Sequence, residues 1–241
     1  MVNMVKIEAI AVDIDGTITD YTRRLCKSSI DALRLAEENN VPVIIVTGNV
    51  VNYAYATAVL VGCSGGVVAE NGGVVFKESY NNDRVKKLVS KEYVNKAVDH
   101  LYNKLGDELD SSLSSDEEYR ESETVFYKTI DKQIILDALK DFEDLDKIEI
   151  YDSGFAIHIT DVRVNKGYSL KFLCEETNID INHVMAIGDS ENDEDFLKVA
   201  GLKVAVSNAE DELKEISDYV CEKPYGDGVK EAVEKFVLNK G

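Results

Sequence analysis

A chain of 241 residues with 44% hydrophobic side chains can fill the core of one or two α/β domains, which argues against disorder. Its 46 Asp and Glu against 27 Lys and Arg leave a net charge of −19, so nucleic acid and anionic membranes would repel it. No apolar run approaches the roughly 20 residues of a membrane span, and the opening residues lack a signal-peptide pattern, which points to a soluble cytoplasmic protein.

The elements follow in order. Ile7 to Asp13 reads as a buried strand that stops at Asp-Ile-Asp-Gly-Thr. Ser28-x-x-Asp31 reads as a capping box opening a helix to about Asn39. Pro42 to Val46 is a second buried strand, ending at Thr47-Gly48-Asn49, and a helix carrying Val50, Ala54, Ala58 and Val61 follows. Val67–Ala69 and Val74–Phe76 flank Asn71-Gly72-Gly73 as a hairpin, whose turn is expected to be structural. From about residue 80 the pattern changes. A helix is expected over Arg84 to Leu105, then an acidic, serine-rich loop over Asp107 to Glu123. Next come a strand (Thr124 to Ile130), a helix (Lys132 to Phe142), and strands Ile148 to Tyr151 and Phe155 to Thr160, joined by Ser153-Gly154. After Asn165 the βα alternation returns. A helix from Lys166 and a strand Val184 to Ile187 lead to Gly188-Asp189, with further βα units to the end.

Alternating β and α elements imply a doubly wound parallel sheet, and the middle block reads as an inserted α+β cap. The expected division is 1–79 and 161–241 for the core and 80–160 for the cap, with hinges near Ser79 to Asn82 and Asp161 to Asn165. Ligands gather at the carboxyl ends of parallel strands. There stand Asp13 and Asp15, then Thr47 and Asn49, then Asp189, Asn192 and Asp193. Four carboxylates in one crevice call for a hard divalent cation, and an all-oxygen set favours Mg²⁺. His100, His158 and His183 are unclustered, as are Cys26, Cys63, Cys174 and Cys221, so zinc is not expected and the thiols read as reduced. A carboxylate beside a metal can attack phosphorus, and a second one two residues on can move the protons. Thr47 offers a phosphate cradle ahead of its helix, and Lys166 a local positive charge.

Asp13-Ile14-Asp15-Gly16-Thr17, Thr47-Gly48-Asn49, Lys166 and Gly188-Asp189-Ser190-Glu191-Asn192-Asp193 resemble, in order, the four motifs of the haloacid-dehalogenase-like (HAD) superfamily. The resemblance covers nearly the whole chain, including the cap between the second and third motifs. It implies Asp13 as nucleophile and Asp15 as general acid/base. It implies Thr47, with Gly48, Asn49, Lys166 and Asn192, around the phosphate. Asp13, Asp189, Asp193 and the main chain at Asp15 would hold Mg²⁺. The second aspartate separates phosphatases and phosphomutases from dehalogenases. Length, the Glu70-Asn71-Gly72-Gly73 hairpin, the small cap and Tyr119-Arg120-Glu121-Ser122 look most like the archaeal-type phosphoglycolate phosphatases and their sugar-phosphate phosphatase cousins. By that resemblance the substrate is a small phosphate ester, 2-phosphoglycolate first, with Arg120 at its carboxylate. A broader sugar-phosphate phosphatase or a phosphomutase is the alternative, and a catalytically silent binding module the remote one. A monomer or homodimer is expected.

Overall fold

A computed structural model of the chain describes residues 6–77, 84–109, 111–153 and 156–238. Its strands are β1 (Ala9–Val12), β2 (Val43–Val46), β3 (Gly66–Ala69), β4 (Val74–Phe76), β5 (Val85–Lys87) and β6 (Thr124–Tyr127), then β7 (Ile148–Asp152), β8 (Ala156–Asp161), β9 (Val184–Gly188), β10 (Leu202–Ala205) and β11 (Tyr219–Val220). Its helices are α1 (Lys27–Glu38), α2 (Val51–Val61), α3 (Glu92–Leu105) and α4 (Lys132–Leu139), then α5 (Lys166–Thr177), α6 (Glu194–Val199), α7 (Asp211–Ile216) and α8 (Tyr225–Phe236). None is long and apolar enough to cross a membrane.

The larger sheet runs β11-β10-β9-β1-β2-β3-β4-β5. It is parallel from β11 to β3, and β4 and β5 add two antiparallel strands at one edge. Every residue of β1, β2 and β9 is buried, as expected of parallel strands covered on both faces. The chain steps outward from β1 to β2 and β3, then returns to the other side of β1 with β9. That reversal puts a crevice at the carboxyl ends of β1 and β9, where Val12 pairs with Ile187. Helices α1 and α8 pack together, as do α5 and α6.

The smaller sheet, β6-β8-β7, is antiparallel throughout. It shares a separate apolar cluster with α3 and α4, including Val94, Leu101, Phe126, Ile135, Leu139, Ile157 and Ile159. This unit falls within the expected cap of residues 80–160, but residues 85–87 of that span join the larger sheet. The expected helix from Arg84 starts only at Glu92, and Val85–Lys87 pairs with β4 on the edge of the larger sheet. Its exposed Lys86 and Lys87 suit an edge strand, where charge discourages further pairing. The expected hinge at Ser79 to Asn82 includes residues outside those described, as does Gly154 of the β7–β8 turn.

Two local expectations also change. Helix α1 begins at Lys27, and no side chain caps it. Ser29 instead bonds the carbonyls of Ile18 and Cys26, tying the helix start to the turn after β1. The acidic, serine-rich loop is packed over residues 111–123: Ser112, Ser114, Arg120, Ser122 and Glu123 are buried, and Leu113 bridges to Phe126. The four cysteines are unpaired.

Candidate active site

Strand β1 delivers Asp13 to the switch point, where its N–H donates to Ile187 O of β9 at 3.1 Å. The chain then turns tightly through Ile14–Ile18, with Gly16 at φ +85°. Only glycine fits there. Besides the left-handed backbone, a Cβ would lie 2.2 Å from Asp189 Oδ2. The carboxylates of Asp13 and Asp189 are brought together by this bare backbone, and one ligand oxygen from each of Asp13, Asp189 and Asp193 lies within 4.8 Å of the others.

Lys166, the first residue of α5, has a side chain only 1% exposed. Its Nζ donates to Asp13 Oδ1 at 3.0 Å and to Asp193 Oδ1 at 2.6 Å. Burial pushes its pKa down, but the two carboxylates outweigh burial and hold it above its ordinary value. Asp193 Oδ2 also accepts from the N–H groups of Asp189 and Ser190, so both its oxygens are engaged. Asp189 accepts from Thr17 Oγ1 at 2.8 Å.

One lysine does not neutralise three carboxylates. Burial pushes Asp13 well above the usual carboxylate range; Lys166 opposes the rise, and Asp193, Asp189 and Asp15 add to it. Burial, then Asp193, pushes Asp189 up to about 8. This excess of crowded negative charge, all on oxygen, fits a hard divalent cation.

Asp15 points away from that cluster. Its oxygens accept from Asn49 Nδ2 (2.6 Å) and, in a fork, from Arg23 Nε (2.8 Å) and Nη2 (3.3 Å). Arg23 also donates to Asn49 Oδ1. Thr47, which is buried, has its hydroxyl oxygen accepting from the backbone and side-chain nitrogens of Asn49. These residues border a cavity of about 740 Å³ whose lining includes Asp13, Asp15, Thr47, Gly48, Asn49 and Asn192 from the larger sheet. From the smaller unit it includes Ser114, Asp116, Arg120, Tyr127, Ser153 and His158. Every residue expected at the site therefore lines this cavity, lies in the acidic cluster beside it or, as Lys166 does, bonds to that cluster.

Arg120 reaches the wall largely occupied by the protein's own acceptors. It donates to Asp116 (3.0 and 3.3 Å), to Gly48 O (3.0 Å) and to Glu123. Four of its five N–H groups are thus spent.

No site role was expected for Arg23, Glu70, Glu123 or His158, and the turn holding Asn71 was expected to be structural. The hairpin is present, yet Asn71 donates to Glu123 and accepts from Asn192. Glu70 Oε2 accepts from the Glu121 and Ser122 N–H groups and from Ser122 Oγ, joining the two units. The available signal was an acid and an amide placed between two apolar strands.

Comparison with known proteins agrees with this geometry. The haloacid dehalogenase-like hydrolase family matches residues 10–119 and 102–233. A phosphoglycolate phosphatase of Methanobrevibacter smithii is 66% identical over 232 residues, covering 96% of this chain and 99% of the relative. A phosphoglycolate phosphatase of Methanothermobacter thermautotrophicus is 49% identical, covering 95% and 98%. The crystal structure of Thermoplasma acidophilum 0175 superposes with a TM-score of 0.84 at 29% identity, covering 97% and 99%. With the acidic cluster and buried lysine at the switch point of the sheet and these matches along its length, the chain belongs to the haloacid dehalogenase-like hydrolases.

Proposed function

We propose that this protein is a magnesium-dependent phosphatase that hydrolyses 2-phosphoglycolate to glycolate and phosphate through an aspartyl-phosphate on Asp13. The observation that carries the reading is the convergence of Asp13, Asp189, Asp193 and Lys166 beside a cavity shared by both units. The names of the archaeal relatives supply the substrate.

In this reading Asp13, Asp189 and Asp193 would hold the cation, with the main chain at Asp15. When bound, Mg²⁺ would offset charge on the phosphoryl oxygens and allow two anions to meet. A carboxylate oxygen of Asp13 attacks phosphorus as the bond to the glycolate oxygen breaks, and Asp15 gives that oxygen a proton. Asp15 then takes a proton from the water that attacks the phosphorus of the aspartyl-phosphate, which releases phosphate and restores Asp13. Lys166 fixes Asp13 and balances charge. Thr47 and Gly48 seat phosphoryl oxygens with Asn49 and Asn192. The unit built on β6, β7 and β8 acts as a cap, from about residue 88 to 161, that shuts water out of the transfer step. A disulfide holding cap to core that left turnover intact would refute the cap motion.

The experiment is phosphate release from a panel of small esters with and without EDTA. Phosphoglycolate should lead the panel, and EDTA should abolish release. A cavity of about 740 Å³ exceeds what a two-carbon acid fills, which favours a broader sugar-phosphate phosphatase as the second reading. Faster release from hexose phosphates than from phosphoglycolate would establish it.

A further inference from the structure

Among the described residues, three basic side chains line the cavity: Arg23, Arg120 and His158. Arg23 is forked onto Asp15 and bonded to Asn49. Arg120 is spent on Asp116, Glu123 and the Gly48 carbonyl. His158 differs. Its Nδ1 lies 3.1 Å from both Glu123 Oε2 and the Asn71 amide nitrogen, and its Nε2 lies 3.2 Å from the Ser153 hydroxyl.

Glu123 is fully buried. Burial pushes its carboxyl up, but His158 and Arg120 outweigh burial and hold it below its usual range, so it stays ionised and can only accept. The hydrogen between the two therefore sits on Nδ1, and the Asn71 amide donates to the same Oε2 at 2.9 Å. That fixes the ring and leaves Nε2 beside the Ser153 hydroxyl. A carboxylate at Nε2 would sit on the opposite side of the ring from Glu123, which holds Nδ1. The ring also packs on the phosphate-cradling loop: a Cβ on Gly48 would lie 3.3 Å from His158 Cε1 and 3.1 Å from the Asn71 amide. A group at Nε2 is therefore close to one seated on Thr47 and Gly48.

We infer that His158, seated by Glu123 and flanked by Ser153, is the cap-side residue that reads the substrate's carboxylate, while Arg120 positions Glu123 and the Gly48 loop. The inference rests on the phosphoglycolate reading and names the residue that selects carboxylate-bearing esters.

The test compares kcat/KM for 2-phosphoglycolate with that for 2-hydroxyethyl phosphate, which carries a hydroxyl in place of the carboxylate, in the full chain with Mg²⁺. In His158→Gln this ratio should fall about 10- to 100-fold, mainly through KM, as for loss of a hydrogen bond to a charged group. In Ser153→Ala it should fall about 2- to 10-fold. An unchanged ratio in His158→Gln overturns the inference and leaves the phosphoglycolate reading standing. If His158→Gln does not fold, by circular dichroism, an unchanged ratio in Ser153→Ala overturns it. A wild-type preference for 3-phosphoglycerate that His158→Gln abolishes supports His158 and overturns phosphoglycolate as the substrate. A wild-type ratio near one overturns both.

Discussion

Lys166 Nζ lies 3.0 Å from Asp13 Oδ1, although 153 residues separate the two along the chain. The contact exists because β1 ends and α5 begins at the same edge of the sheet, and it makes the lysine, among the described residues, the one positive charge bonded to the acidic cluster. Replacing it with methionine keeps the volume and removes the charge. Breaking a buried pair from one side costs about 3–5 kcal/mol. Lys166→Met should lower stability by that order in metal-free buffer and cut kcat about 100- to 1,000-fold. Urea unfolding and steady-state rates on the same preparation check both.

Gly16 separates the two acidic loops. Gly16→Ala combines a left-handed backbone, costing about 1–2 kcal/mol, with a Cβ that must displace Asp189. Turnover should drop about 100-fold, because displacement of a reacting group by an ångström is enough for that. Raising Mg²⁺ should recover only part of it, as kcat measured against Mg²⁺ concentration will reveal.

Cation binding should stabilise the fold as well as enable turnover. At a concentration 100-fold above Kd, a ligand of the native state adds about 2.7 kcal/mol. The melting temperature should rise with Mg²⁺ in the wild type and much less in Asp189→Asn, by differential scanning calorimetry. Equal shifts in both would exclude Asp189 as a ligand.

Glu123 carries a pH prediction. Its folded pKa is depressed, so its contribution to stability is complete above the unfolded value of about 4.3 and fades as pH falls through the folded value. Glu123→Gln should cost about 3 kcal/mol at pH 7, since Arg120 and His158 lose their shared partner. The gap between variant and wild type should close as pH drops below the carboxylate range, measured by denaturant unfolding from pH 7 to 3.

The polar tips of buried strands were legible in sequence because such strands must stay apolar until they leave the core. Asp13, Thr47 and Asp189 each follow an unbroken apolar run, and the structure puts all three at the carboxyl edge. Lys166 was legible only through its place among the other motifs. Val85–Lys87 was not, because two lysines beside a valine carry no strand period, and only the edge of β4 recruits them. His158 was hidden for a related reason. In sequence it is only one of three unclustered histidines, and burial of β8 along its full length, polar residues included, is not visible in an alternating pattern. Arg23 belongs to a turn whose pairing with Asp15 depends on a positive φ of 62° that nothing in the composition of Thr22-Arg23-Arg24 announces.

The central claim is that phosphorus passes through Asp13. Enzyme quenched in acid during phosphoglycolate turnover, then reduced with borohydride and digested, should yield homoserine at position 13 by peptide mass spectrometry. Asp13→Asn should yield none and lose activity by about 10,000-fold while remaining folded. Full turnover with position 13 unmodified, or the label at another aspartate, would contradict the account.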